Sequence, residues 1–246
     1  MVAGCTPERM SRLAALLRLY VITDRDLSRG RSERDVVLEA IDGGATAVQL
    51  RGKQMGGLEM LRTAIALRDL AAQHNVLFIV NDRLDVALAV EADGVHLGQE
   101  DIPARDALDL IDRHDSRGRR TGGAWPHRML LGISAVNEAQ ATAAERDGAD
   151  YIGAGPVWAT ATKPDADPPI GPEGIRAICS SVRIPVVAIG GISRDNAGLL
   201  IGTGIAGIAV ISAVVAAADV RGAARSLRGV VDGLPAWRAA CGGGSR

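Results

Sequence analysis

The sequence predicts a single (β/α)8 barrel, the TIM barrel, and three observations carry that prediction. Apolar runs that read as strands alternate eight times with stretches of helical spacing. The length, 246 residues, is that of one such barrel. A short echo also recurs at four places, each where a helix ends and an even-numbered strand begins: Gly44-Ala45-Thr46-Ala47-Val48, Ala92-Asp93-Gly94-Val95, Gly148-Ala149-Asp150-Tyr151-Ile152 and Gly204-Ile205-Ala206-Gly207-Ile208. Glycine there suits the left-handed residue that closes a helix.

Residues 1–18 read as an N-terminal helical extension. Glu8, Arg9, Arg12 and Arg18 interrupt it, so it is not a signal peptide. The barrel is expected over 19–233, with strands at 19–23, 47–50, 77–80, 94–97, 130–134, 151–155, 185–189 and 207–211. The intervening helices show apolar spacing of three and four, as in Leu58, Leu61, Ile65 and Leu70. Aromatic residues make up only 2% of the chain, so the core is expected to be built from Val, Ile, Leu and Ala. Residues 113–128 (RHDSRGRRTGGAWPHR) break the periodicity on the face opposite the strand ends. Their composition predicts a mobile solvated loop without a chemical role. Residues 234–246, ending GGGSR, read as a flexible tail.

A net charge of −1 gives no global attraction to nucleic acid or membrane. No apolar run reaches the length of a membrane span. Cys5, Cys179 and Cys241 are odd in number and far apart, which points to a reducing, cytoplasmic setting. Assembly into a homo-oligomer is compatible with these features.

The most informative stretch is Asn81-Asp82-Arg83 followed by His96-Leu97-Gly98-Gln99-Glu100-Asp101. Neighbouring parallel strands would bring Asp82 and Asp101 to one edge of the sheet. Two carboxylates with an amide beside them suit Mg²⁺, which leaves its other positions to water and substrate phosphates. Either aspartate alone equally suits capping a helix, one starting at Arg83 or one starting at Ile102 or Pro103. His96 reads as a satisfied core or rim histidine.

Gln49, Arg51 and Lys53 close the second strand and share a face, a candidate phosphate clamp. The competing reading of Arg51 is a structural Arg–Asp pair. Residues 153–171 form a long loop in which Thr160, Thr162 and Lys163 suit phosphate oxygens. Gly190-Gly191 after strand seven and Ile211-Ser212 after strand eight fall where barrels often bind phosphate through backbone N–H groups. Gly202-Thr203-Gly204-Ile205-Ala206-Gly207 matches a dinucleotide fingerprint but precedes a strand, the wrong context. No Ser or Cys is evident near a strand-end His, so the reaction is expected to depend on metal, cations and positioning.

At this point the chain resembles the thiamine-phosphate synthase family. The resemblance rests on YVITDR at 20–25, QLRGK at 49–53, NDR at 81–83, DGVHLGQED at 93–101, GIS at 132–134, GAGPVWATATK at 153–163, VVAIGGI at 186–192 and VIS at 210–212. It implies joining of a hydroxymethylpyrimidine diphosphate to a thiazole phosphate with release of pyrophosphate. By motif, Gln49, Arg51, Lys53, Asn81, Ser134 and Lys163 would bind the pyrimidine diphosphate, with Arg51, Lys53 and Lys163 catalytic. Asp82 and Asp101 would hold Mg²⁺. Thr160, Thr162, Gly191, Ile211 and Ser212 would hold the thiazole phosphate. Gly52 departs from a family pattern that often has a larger residue there. Two rivals stand beside this reading: a related thiazole tautomerase, which needs no diphosphate clamp, and a non-catalytic binding protein.

Overall fold

Eight parallel strands close on one another in chain order, β1 to β8, with β8 returning to β1. The structure, a computed structural model, describes residues 6–116, 124–160, 162, 167–235 and 237. Helix α1 (Pro7–Leu16) precedes β1 (Leu19–Ile22). Then follow α2 (Glu33–Asp42), β2 (Ala47–Leu50), α3 (Gly57–Gln73), β3 (Leu77–Asn81), α4 (Leu84–Val90) and β4 (Gly94–Leu97). The second half runs α5 (Ala104–Asp115), β5 (Leu130–Ala135), α6 (Glu138–Arg146), β6 (Tyr151–Ala154), α7 (Gly171–Ser181) and β7 (Val186–Ile189). It closes with α8 (Arg194–Ala197), β8 (Gly207–Val210), α9 (Ser212–Val215) and α10 (Val220–Val231). All eight expected strands form, with ends within a residue or two of the expected ones.

Strand alternation divides the apolar residues into two layers. Leu19, Val21, Val48, Leu50, Phe78, Val80, Val95 and Leu97 face outward and pack beneath the helices. Tyr20, Ile22, Ala47, Leu77, Ile79, Leu130, Tyr151, Val187 and Ala209 form the interior. Both layers are mainly aliphatic, as expected, with Phe78 the aromatic exception in the outer layer and Tyr20 and Tyr151 the exceptions in the inner one. Both tyrosines of the chain lie inside the barrel, because small interior residues leave room for them.

The echo before the even strands proves structural. Gly44, Gly148 and Gly204 have φ of +102°, +100° and +96°, and Glu91 takes the left-handed position at the fourth place with φ +53°. The polar residue that follows caps the neighbouring odd strand. Thr46 Oγ1 accepts from the Leu19 N–H at 3.0 Å, Asp93 Oδ2 from Phe78 at 3.0 Å and Asp150 Oδ2 from Leu131 at 2.9 Å.

The 113–128 expectation needs correction. Residues 113–115 belong to α5, and Trp125 is buried within the closed end of the barrel against Leu13 and Leu17 of the N-terminal segment. Its indole donates to the Arg128 carbonyl at 3.0 Å, and the Arg9 guanidinium lies over its ring at 5.3 Å. A large apolar ring facing a barrel mouth is driven inward by its own hydration cost, whatever the polarity of its neighbours. Residues 117–123, and the tail at 236 and 238–246, lie outside the described residues. Residues 6–18 are likewise more than an extension, since Leu13 and Leu17 complete the barrel floor.

Candidate active site

Adjacent strands β3 and β4 carry the two aspartates to one rim, Asn81 lying opposite His96 in the ladder. Neither aspartate caps a helix. The residue preceding α4 is Arg83 and the one preceding α5 is Pro103, and neither helix has a side-chain cap. Asp82 instead occupies the left-handed region, φ +60°, in a tight turn whose N–H donates to the His96 carbonyl at 2.9 Å. Aspartate tolerates that conformation better than most residues, but it is uncommon and concentrates at functional turns. Asp101 Oδ2 accepts from the Gly98 N–H at 2.7 Å, which fixes the loop after β4. The two carboxyls are within hydrogen-bond reach of each other. Burial, then the Asp101 charge and that hydrogen bond, push the Asp82 carboxyl up to about 6, while Arg51 and Lys53 act in the opposite direction.

Two half-buried carboxylates facing each other at one rim are an arrangement that can hold a cation. Its donors are hard oxygens, with the Asn81 amide beside them at the end of β3. The set fits a magnesium ion with its remaining positions left to water or phosphate. Asp82 and Asp101 are the residues that would hold it.

Arg51 lies in the loop after β2 and forms the Arg–Asp pair named as its competing reading: Nη1 donates to Asp24 Oδ2 at 2.9 Å. Its backbone N–H also donates to Thr23 Oγ1 at 3.1 Å. Among the described residues only Nη1 of that side chain is engaged, so Asp24 orients the guanidinium and leaves Nε and Nη2 for an anion. Asp24 was missed in the sequence, although it stands in the YVITDR run. Lys53 is exposed on the same side. Gln49, by contrast, faces into the barrel and is buried, donating from Nε2 to the Tyr20 hydroxyl at 2.6 Å.

Ser134 and His96 require a correction. No serine was expected near a strand-end histidine, yet His96 Nε2 and Ser134 Oγ lie 3.0 Å apart. The β4–β5 register sets His96 opposite Gly132, which places Ser134 one step along the same inner face. The pair is not an acyl-transfer centre: Nδ1 of His96 meets the Tyr151 hydroxyl at 3.1 Å and no carboxylate. Burial pulls the His96 imidazole down to about 4, against the opposing pull of Asp101, so it is a weak base. The reading of His96 as a satisfied histidine stands.

On the β6–β8 side, Gly190 and Gly191 have φ of +97° and +65°. A Cβ on Gly190 would meet Pro156, and one on Gly191 would meet Trp158 and the Ala159 carbonyl. Their glycine character thus admits the loop after β6, which is bonded there through Val157 N–H to Ile189 O at 2.9 Å and Trp158 N–H to Gly190 O at 3.1 Å. Thr160 and Thr162 follow in that loop, linked by a bond from the Thr162 N–H to Thr160 Oγ1 at 3.3 Å. Ile211 and Ser212 sit across the rim, where Ser212 opens α9. Lys163 lies outside the described residues.

A closed (β/α)8 barrel with a carboxylate pair, an oriented guanidinium and glycine-lined loops at one rim has the architecture of a barrel enzyme that acts on small molecules. The comparisons narrow the class. The profile of the thiamine monophosphate synthase family matches residues 19–214. A thiamine-phosphate synthase of Chloroflexus aurantiacus is 54% identical over 87% of this chain and 92% of its own length. One of Coprothermobacter proteolyticus is 49% identical over 89% and 97%. The thiamine phosphate pyrophosphorylase structure from Pyrococcus furiosus superposes with a TM-score of 0.78 at 45% identity, covering 89% of this chain and 98% of that one. The chain belongs to the thiamine monophosphate synthase family.

Proposed function

We propose that this chain condenses 4-amino-2-methyl-5-hydroxymethylpyrimidine diphosphate with 4-methyl-5-(2-phosphoethyl)thiazole, giving thiamine phosphate and pyrophosphate. The observation that carries this reading is the carboxylate pair Asp82–Asp101, with Arg51 and Lys53 acting on the same carboxyl. A diphosphate needs positive charge on both sides; Arg51 and Lys53 supply it on one, and a metal held by the two aspartates would supply it on the other.

Gln49, Asn81 and Ser134 bind and orient the pyrimidine diphosphate. Arg51, held by Asp24, and Lys53 and Lys163 draw off the charge that accumulates as the C–O bond to the diphosphate breaks. Magnesium, held by Asp82 and Asp101, supplies further charge neutralisation when bound. Loss of the diphosphate leaves a cation on the pyrimidine methylene. The thiazole nitrogen attacks it with its own lone pair, so no general base is required, consistent with an imidazole held as a weak base. Thr160, Thr162, Gly191, Ile211 and Ser212 hold the thiazole phosphate so that this nitrogen faces the methylene carbon. Among the described residues no helix is long and apolar enough to cross a membrane, and we infer a cytoplasmic setting.

The test is pyrophosphate release by the purified protein, with both substrates, with and without Mg²⁺, and with the thiazole phosphate omitted. Release that needs both substrates and metal is expected. Metal-independent isomerisation of the thiazole phosphate, without coupling, would replace this reading with the tautomerase.

A further inference from the structure

Inside the barrel four hydrogen bonds join five side chains in one line. Gln49 Nε2 donates to the Tyr20 hydroxyl at 2.6 Å, and the Tyr20 and Tyr151 hydroxyls lie 3.2 Å apart. Tyr151 then meets His96 Nδ1 at 3.1 Å, and His96 Nε2 meets Ser134 Oγ at 3.0 Å. The line crosses from β2 through β1, β6 and β4 to β5. Gln49, Tyr20 and Tyr151 are buried, while His96 and Ser134 are half-buried toward the rim.

A phenol has one proton to give and a neutral imidazole has one donor and one acceptor nitrogen, and a buried phenol that accepted from both neighbours would leave its own proton without an acceptor. The sense of the first bond therefore fixes the others. With Gln49 donating, Tyr20 donates to Tyr151, Tyr151 to Nδ1, and the Nε2–H of His96 to Ser134. Ser134 is left with its own proton directed away from the line. At the far end, no donor among the described residues reaches Gln49 Oε1. A buried amide oxygen in that condition calls for a ligand donor.

The space for this line is built into the strands. A Cβ on Gly132 would lie 2.1 Å from the Tyr151 ring, and one on Gly153 would lie 2.8 Å from His96. Neither glycine has a left-handed backbone, so the space alone excludes a side chain. Gly132 stands in register between His96 and Tyr151, and its empty position lets them meet.

We propose that Tyr20, Tyr151 and His96 are positioning residues that couple the amide orientation of Gln49 to the hydroxyl direction of Ser134, and so select an aminopyrimidine over its oxo counterpart. This rests on the reading that Gln49 and Ser134 bind the pyrimidine. An exocyclic amino group donates to Gln49 Oε1 and preserves the sense of the line. A 4-oxo group in the same place offers only an acceptor. It requires Gln49 to turn its amide, which reverses all four bonds and points the Ser134 proton at His96. The discrimination thus extends beyond the one contact that reads the amino group.

The test compares kcat/KM for the 4-amino pyrimidine diphosphate and its 4-oxo analogue, at saturating thiazole phosphate, in wild type, Tyr20→Phe, Tyr151→Phe and the double variant. Each Phe keeps the ring and cuts the line. The selectivity ratio should fall at least about tenfold in both single variants and by similar amounts, although Tyr20 is one member further from Ser134 than Tyr151 is. The double variant should fall no further. Should Tyr151→Phe fail to fold, Tyr20→Phe carries the same comparison. Ratios unchanged in the folded variants would overturn the proposal and reduce the line to a structural role, even with lowered thermal stability. An inactive wild type would overturn the synthase reading beneath it, an outcome the wild-type arm alone identifies.

Discussion

Aspartates stand at both ends of this barrel, and the two ends use them differently. At the closed end, Asp150 faces Arg128 through two contacts of 3.0 Å, approaches Arg9 at 3.5 Å, and caps the Leu131 N–H. Burial raises its pKa, but every partner acts to lower it. At the open rim, Asp82 is raised by burial and then further by Asp101, a second acid. The same residue type beside the same sheet is thus a finished structural joint at one end and, at the other, a carboxyl pair that Arg51 and Lys53 offset only in part. Only the second stands to gain from a ligand.

The comparison can be broken from either end. Trp125→Ala should lower stability by about 3–5 kcal/mol, the range for removing a buried large aromatic ring, and leave kcat/KM of the folded protein nearly unchanged. Denaturant unfolding beside kinetics checks this, and a matching loss of catalysis would show that floor and rim are coupled. Asp82→Ala should cost at least about 10²-fold in Mg²⁺-dependent turnover, with little change in the melting temperature. Near-normal rates would place the metal elsewhere. Asp150→Asn should reverse that pattern, with a stability loss of about 1–3 kcal/mol from a weakened charged hydrogen-bond set and unaltered kinetics.

The smallest effect concerns pH. Asp82 titrates near 6 in the folded chain against an ordinary 3.8, so its stabilising contribution is present below the ordinary range and disappears as pH rises through about 6. Asp82→Asn cannot ionise. Relative to wild type and without metal, it should gain roughly 1 kcal/mol between pH 4 and pH 8, a figure reduced for screening at a partly exposed site. Urea midpoints in a chelator measure it. A difference independent of pH would show that the two carboxyls do not confront each other in solution.

The barrel itself was legible because strand and helix periods differ and alternate cleanly along the chain. The meeting of Asp82 and Asp101 was legible because each lies at or just beyond the end of a strand run, so neighbouring strands bring them to one rim. Other features were not. Asp24 pairs with Arg51 across two loops, and His96 reaches Ser134 through the β4–β5 register; neither relation has a local signature. Trp125 was hidden by its arginine-rich neighbours, whose composition suggested solvent. Deleting 113–128 as if it were a surface loop would remove the ring that closes the barrel floor.

Gly132 and Gly153 bear on how such a barrel can change over generations. The empty inner position at Gly132 is filled by a ring from the next strand, and that at Gly153 by an imidazole from two strands away. A lineage that acquired a side chain at Gly132 would have to lose the Tyr151 ring in the same step, or pass through a misfolded ancestor. Interior positions on β4, β5 and β6 are therefore inherited together. A bulkier or reshaped substrate would be reached by exchanging these residues as a set, while the outer helices remain at liberty to diverge one position at a time.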